Sequence, residues 1–188
     1  MSGISMQSQC FIFSDIEKVS IPKKPGVYIV YWIKNGERRI IYRILRDDVL
    51  GILYIGSSSN LHRRLKEDLK GDLNAVYCKV MKRRPCTNTR RYKHTLTLSL
   101  IYTNLINEIH ENELMICYKT FNSRDKAEMQ EAMAIHEYTK RYGEPPPLNL
   151  NLRRKYIAIW GIGEYGKSRV SEEIDLELAK LLGVQETS

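Results

Sequence analysis

A chain of 188 residues, 43% of them hydrophobic, has the length of one domain and enough apolar material to enclose a single core, so one site on one scaffold is expected. Thirty Lys and Arg against 22 Asp and Glu give a net charge of +8 and a pI near 9.3, a field that attracts phosphate polyanions, while no apolar run approaches a membrane span. Cys10, Cys78, Cys86 and Cys117 form no C-x-x-C pair and have no histidine at ligand spacing, which argues against a zinc knuckle or a disulfide framework and points to reduced thiols in a cytoplasmic protein.

Residues 1–21 read as a weakly structured lead, since the apolar patch Cys10 to Phe13 is too short for a signal sequence and Pro22 to Pro25 enforce an extended backbone. Val27 to Ile33 is rich in β-branched and aromatic residues and is closed by Asn35-Gly36, the strongest short turn signal in the chain. Arg39 to Leu45 continues in strand-like fashion, and a further strand runs from Leu50 to Ile55 and stops at Gly56. Ser57 to Lys70 predicts a helix, with Ser and Asn as caps and Leu61, Leu65 and Leu69 recurring on one face, ended by Gly71. The middle of the chain carries basic loops, and Leu96 to Ile109 is taken as helix. Leu114 to Phe121 predicts a third strand, and Arg124 to Tyr142 a long helix terminated by Pro145-Pro146-Pro147. The mixture of strands and helices makes the fold class α/β.

Two aromatic-glycine signals sit on the first strands, Gly26-Val27-Tyr28 and Tyr54-Ile55-Gly56. Either tyrosine alone reads as a packing residue, and either glycine as a place where a substrate could approach the backbone. Arg64 lies at the rim of the leucine stripe, where it can lean over the sheet or pair with Asp68 four residues on. On the long helix, Glu131 shares a stripe with Ala127, Ile135, Tyr138 and Tyr142, so it is a carboxylate on an apolar face and needs a cation or a hydrogen-bonded ion pair.

Taken together, Pro25 to Tyr28, Tyr54 to Gly56, Asn60-Leu61 and then Arg64, ten positions after Tyr54, resemble the GIY-YIG nuclease family in order and spacing. The run from Ser123 through Ala127, Glu131 and Ile135 to Tyr138 is similar to that family's metal-binding helix, and Pro146-Pro147-Leu148-Asn149 to its closing Pro-x-x-Asn. The resemblance covers about residues 22–151, leaving 152–188 as a C-terminal extension, whose Ile157 to Gly163 strand and capped helix could complete the core or join two copies in a homodimer.

The resemblance implies a small α/β domain with a central three-stranded antiparallel sheet flanked by helices, and a metal-dependent endonuclease that hydrolyses phosphodiester bonds, with DNA the expected substrate. Tyr28 would be the general base or would order the attacking water, Tyr54 would support it, and Arg64 would stabilise the pentacovalent phosphorus. Glu131, with Glu137 as the alternative, would ligate one Mg²⁺ or Mn²⁺. Gly26, Gly56, Asp68 and Asn149 would support the site. Arg63 and the clusters Lys82-Arg83-Arg84 and Arg90-Arg91-Tyr92-Lys93 would grip the nucleic-acid backbone. The sequence departs from the family at Ser57, where a lysine is common, and at Asp68, where a histidine or tyrosine is common, and these departures leave open a binding module without catalysis.

Overall fold

In the computed structural model, which describes residues 8–80, 94–150 and 173–183, the sheet is organised around β2 (Gly26–Lys34). Both faces of this strand are covered, which is why it reads as a nearly unbroken apolar run rather than an alternating one. β4 (Ile52–Ser58) and β5 (Leu114–Thr120) pair with it antiparallel on its two sides. Asn35 and Gly36 adopt φ of 54° and 82°, the left-handed pair required by a two-residue hairpin turn, and return the chain into the short β3 (Glu37–Arg38).

The sheet has five strands, not three, because residues read as a loose lead supply β1 (Gln9–Ile12) along the outer side of β5. In this register Cys10 stands opposite Cys117, with 4.0 Å between their Cα atoms, and the two form a disulfide. Cys78 is disulfide-bonded as well. The expectation of reduced thiols fails because it rested on sequence spacing, whereas pairing across the strands closes a separation of 107 residues.

Arg39 to Leu45 is not a strand: Ile41 makes one isolated bridge to Asp48, and Ile40, Tyr42, Ile44 and Leu45 remain exposed. Asp48 dictates the path instead. Its fully buried carboxylate accepts the backbone N–H groups of Leu50, Gly51 and Ile52 at 2.8, 3.2 and 2.8 Å and the Tyr138 hydroxyl at 2.9 Å, turning the chain into β4.

Helices cover both faces of the sheet. Tyr28, Val30 and Tyr54 pack on Leu61, Leu65, Leu69 and Leu73, while Val27, Ile29 and Ile55 pack on Ala127, Ile135 and Tyr138. The leucine layer begins as a π-helical run, Arg63–Leu69, that passes into α1 (Lys70–Val80). Leucines four apart drift about 40° per step around an α-helix of 3.6 residues per turn, and the wider i→i+5 turn counters that drift. All four leucines consequently stay fully buried. The helix does not end at Gly71, because Leu73, Val76 and Tyr77 continue the buried face.

α2 (Thr95–Tyr102) takes only the first half of the helix expected over residues 96–109, and single 3₁₀ turns at Leu105–Asn107 and Glu111–Glu113 lead into β5. α3 (Arg124–Tyr142) has the expected limits. Ser123 caps its start by accepting the Lys126 N–H, and Gly143 at φ 83° stops it before the proline run is reached. α4 (Leu176–Leu181) lays Leu178 against the second core, as does the neighbouring Leu182. Among the described residues no helix is long and apolar enough to cross a membrane. The strand expected at residues 157–163 lies outside them.

Candidate active site

Tyr28 and Tyr54 project from neighbouring strands onto the leucine side of the sheet, and their ring centroids are 6.0 Å apart. Gly56 makes that approach possible: a Cβ built there would lie 2.6 Å from the Tyr54 ring and 2.7 Å from the Tyr28 hydroxyl. A Cβ on Gly26 would meet Leu61 and the Lys119 carbonyl at 2.4 Å. Both glycines thus make room for the protein's own groups, not for a substrate backbone as the sequence suggested.

β4 pairs only with β2 among the described strands, and the site wraps around it. Tyr54 and Ser57 point to opposite sides of the strand, as residues three apart must. Ser57 reaches the α3 side, where its hydroxyl donates to Glu131 Oε2 at 2.5 Å. Asn149 holds the strand from outside. Its Oδ1 accepts the Ile55 N–H at 2.9 Å and its Nδ2 donates to the Ile55 carbonyl at 2.7 Å, fixing the residue between Tyr54 and Gly56.

The result is a cleft of about 290 Å³ lined by Tyr28, Tyr54, Ser57, Arg63, Arg64 and Glu131, with Ser58 and Ser59 at the strand end. Arg64 both faces this cleft and pairs with Asp68 at 3.6 Å, so the two roles weighed for it from sequence coexist. Asp68 steadies the guanidinium from behind. Arg63, placed further from the leucine stripe by helical phase, also lines the cleft, because the wider turn brings both arginines round. Glu137 is not among the lining residues. The clusters at 82–84 and 90–93 lie outside the described residues.

His94, Thr95, Arg124 and Glu128 also line the cleft and were not chosen as site residues from sequence. His94 is 1% exposed and stands with Nε2 2.8 Å from the Tyr28 hydroxyl. Nothing in its neighbourhood in sequence links it to a tyrosine 66 positions away. Arg124 and Glu128 form an ion pair at 3.0 Å on the cleft wall. A signal for Arg124 did exist: a cation in the first turn of a helix opposes the helix dipole.

Burial dominates the electrostatics. It raises the Tyr28 phenol well above the ordinary tyrosine range, helped by Tyr54 and the Glu131 charge and opposed by the Arg64 guanidinium. The lowering expected from a nearby arginine is present but is outweighed by loss of solvent. Burial, reinforced by Arg64, pushes His94 down to about 3, so its ring is neutral at physiological pH.

Glu131 is 7% exposed, and its hydrogen bond among the described residues comes from a neutral hydroxyl. No group of three or more His, Cys, Asp or Glu side chains suited to a metal ion occurs among the described residues. Comparisons with protein-family profiles, with curated proteins and with solved structures each return no match.

Proposed function

We propose that this chain is a metal-dependent endonuclease of the GIY-YIG type, acting on DNA. The observation that carries the reading is the meeting of Tyr28, Tyr54, Arg64 and Glu131, contributed by four separate elements, on one polar cleft. On this reading β2, β4 and β5 of the five-stranded sheet would stand for the family's three strands, with β1 and β3 as additions.

The donor set suits a hard cation. Glu131 presents a nearly buried carboxylate with a neutral hydroxyl on one oxygen, and Mg²⁺ characteristically takes one or two protein carboxylates and fills its remaining positions with water and phosphate oxygens. Bound there, Mg²⁺ or Mn²⁺ would act as a Lewis acid, offsetting charge on the phosphate and the departing oxygen. Ser57 orients the carboxylate that would hold it.

The remaining work falls to the side chains. Arg64, braced by Asp68, faces the non-bridging oxygens as they gain charge. Tyr28 orders the attacking water and, once ionised, takes its proton as the water oxygen bonds to phosphorus. The P–O3′ bond then breaks, leaving its electron pair on O3′, which is protonated from solvent. Tyr54 packs against Tyr28 and limits where the water sits. Arg63 and Arg124 flank the cleft and suit adjoining phosphates, a sequence-independent grip.

The test is to incubate wild type, Glu131→Ala, Glu137→Ala and Tyr28→Phe with supercoiled, branched and single-stranded DNA in Mg²⁺, Mn²⁺ or EDTA. Metal-dependent nicking by wild type and Glu137→Ala alone is expected. Cleavage that survives Glu131→Ala and vanishes in Glu137→Ala would move the ligand. Binding without cleavage under every condition would replace the enzyme with a nucleic-acid-binding module.

A further inference from the structure

His94 precedes α2 and is held at both ends. Its backbone N–H donates to Asp72 Oδ2 at 2.7 Å, and its ring Nδ1 accepts the Leu96 N–H at 3.2 Å, capping the helix with an imidazole. A nitrogen that accepts an N–H carries no proton of its own. In a neutral ring the one remaining proton is therefore on Nε2, the atom 2.8 Å from the Tyr28 hydroxyl oxygen.

We infer that His94 is a positioning residue for Tyr28: its Nε2–H donates to the phenol oxygen and turns the phenol's own hydrogen away from the core, towards Tyr54 and the cleft. This inference rests on the proposed nuclease reading for its consequence, but not for its geometry. A histidine with the opposite tautomer would take the phenol's hydrogen for itself, and Tyr28 would then present only lone pairs to the cleft. Donation from Nε2 also favours the phenolate whenever Tyr28 ionises, because a hydrogen bond to the charged form stabilises that form.

The surroundings keep this arrangement in place. Tyr28 and Tyr54 face the ring from the sheet, each with its centroid 6.0 Å from the imidazole. Arg64 acts on it from the π-helical segment and Asp72 holds its backbone from α1. The arginine's charge opposes protonation of the ring, and near-complete burial does the same, so the donor stays a neutral imidazole. The continuation of the helix beyond Gly71 acquires a use here, because it delivers Asp72 to the start of α2.

Nitrogen-15 NMR of the histidine-labelled 188-residue chain reads the tautomer directly, without any substrate. His94, assigned by its loss in His94→Gln, is expected neutral with the proton on Nε2. Its Nε2 resonance should shift in Tyr28→Phe and stay in place in Tyr54→Phe. Sequential backbone-to-side-chain assignment of the wild type identifies the same ring without that variant, so a proton on Nδ1, or an Nε2 signal indifferent to Tyr28→Phe, overturns the inference whether or not the histidine variants fold.

Kinetics on supercoiled DNA with Mn²⁺ then tests the consequence. His94→Phe should lower kcat about tenfold, the worth of one hydrogen bond, with KM within about twofold. His94→Gln, which keeps an N–H donor at the ε position, should retain kcat within about threefold of wild type. Equal losses in two variants that unfold at the same urea midpoint would reduce His94 to a packing residue. A wild type that cleaves nothing sinks the nuclease reading, and the NMR result still decides the hydrogen bond.

Discussion

Asp48 and Glu131 are both withdrawn from water, the first bonded to Tyr138 of α3 and the second carried on that helix, yet their surroundings differ in kind. Asp48 is fully buried and receives four hydrogen bonds, three from successive backbone N–H groups and one from Tyr138. Its charge is spread over fixed dipoles and its geometry defines the turn into β4. Glu131 retains 7% exposure, receives one hydroxyl among the described residues, and faces a polar cleft. The first is a carboxylate whose ligands are supplied by the fold; the second has, among the described residues, a single hydroxyl donor and an edge on the cleft. Burial alone separates neither from the other. The number and kind of donors does.

The largest effect expected from breaking this contrast is on cleavage. Glu131→Gln keeps the shape but not the charge, and should reduce metal-dependent nicking by about a hundredfold or more, a loss of several kcal/mol of transition-state stabilisation. Mn²⁺ at about a hundred times its Kd should stabilise wild type by about 2.7 kcal/mol in urea melts and leave Glu131→Gln unmoved. Equal stabilisation of both proteins would place the ion elsewhere.

Asp48→Asn should do the reverse. Its amide would turn N–H groups towards N–H groups, so unfolding free energy should fall by about 2–3 kcal/mol, read from urea midpoints at constant slope. The folded fraction should still cleave at the wild-type rate. A catalytic defect in fully folded Asp48→Asn would erase the distinction drawn here.

The third expectation concerns the tyrosines beside each carboxylate. Burial and the Glu131 charge raise Tyr28, and burial and the Asp48 charge likewise raise Tyr138. With its pKa above the usual value, Tyr28 is only fractionally ionised near neutrality, and that fraction grows as pH rises. Single-turnover cleavage should therefore climb by up to about tenfold per pH unit from about pH 7 to about pH 9, without a plateau. A rate that levels off at or below neutrality would assign the proton to another group.

Much of this was legible in the sequence where local chemistry decides the outcome. Asn35-Gly36 can hardly be anything but a hairpin turn, and the stripe containing Ala127, Glu131 and Ile135 fixes which face of α3 meets the sheet. Helical phase placed Arg64 at the rim of the leucine stripe and Glu131 on the sheet-facing stripe of α3, and both line the cleft, but choosing them as site residues also took the resemblance in motif order and spacing. What stayed hidden depends on pairing across distance. Gln9–Ile12 is too short to show a period and becomes a strand only because β5 offers an edge, and the Cys10 to Cys117 bond follows from that register. His94 reaches Tyr28 through a helix start positioned by Asp72, which no spacing rule reports.

The segment that follows the proline run has an effect beyond steadying the cleft. Leu148 donates its N–H to the Leu53 carbonyl at 2.9 Å, and the Asn149 side chain takes both main-chain groups of Ile55. Main-chain groups at alternate positions on the outer rail of β4 are thereby occupied from within the same molecule. An incoming chain cannot pair with those positions, which shortens the ladder open to strand addition and aggregation at that border of the sheet.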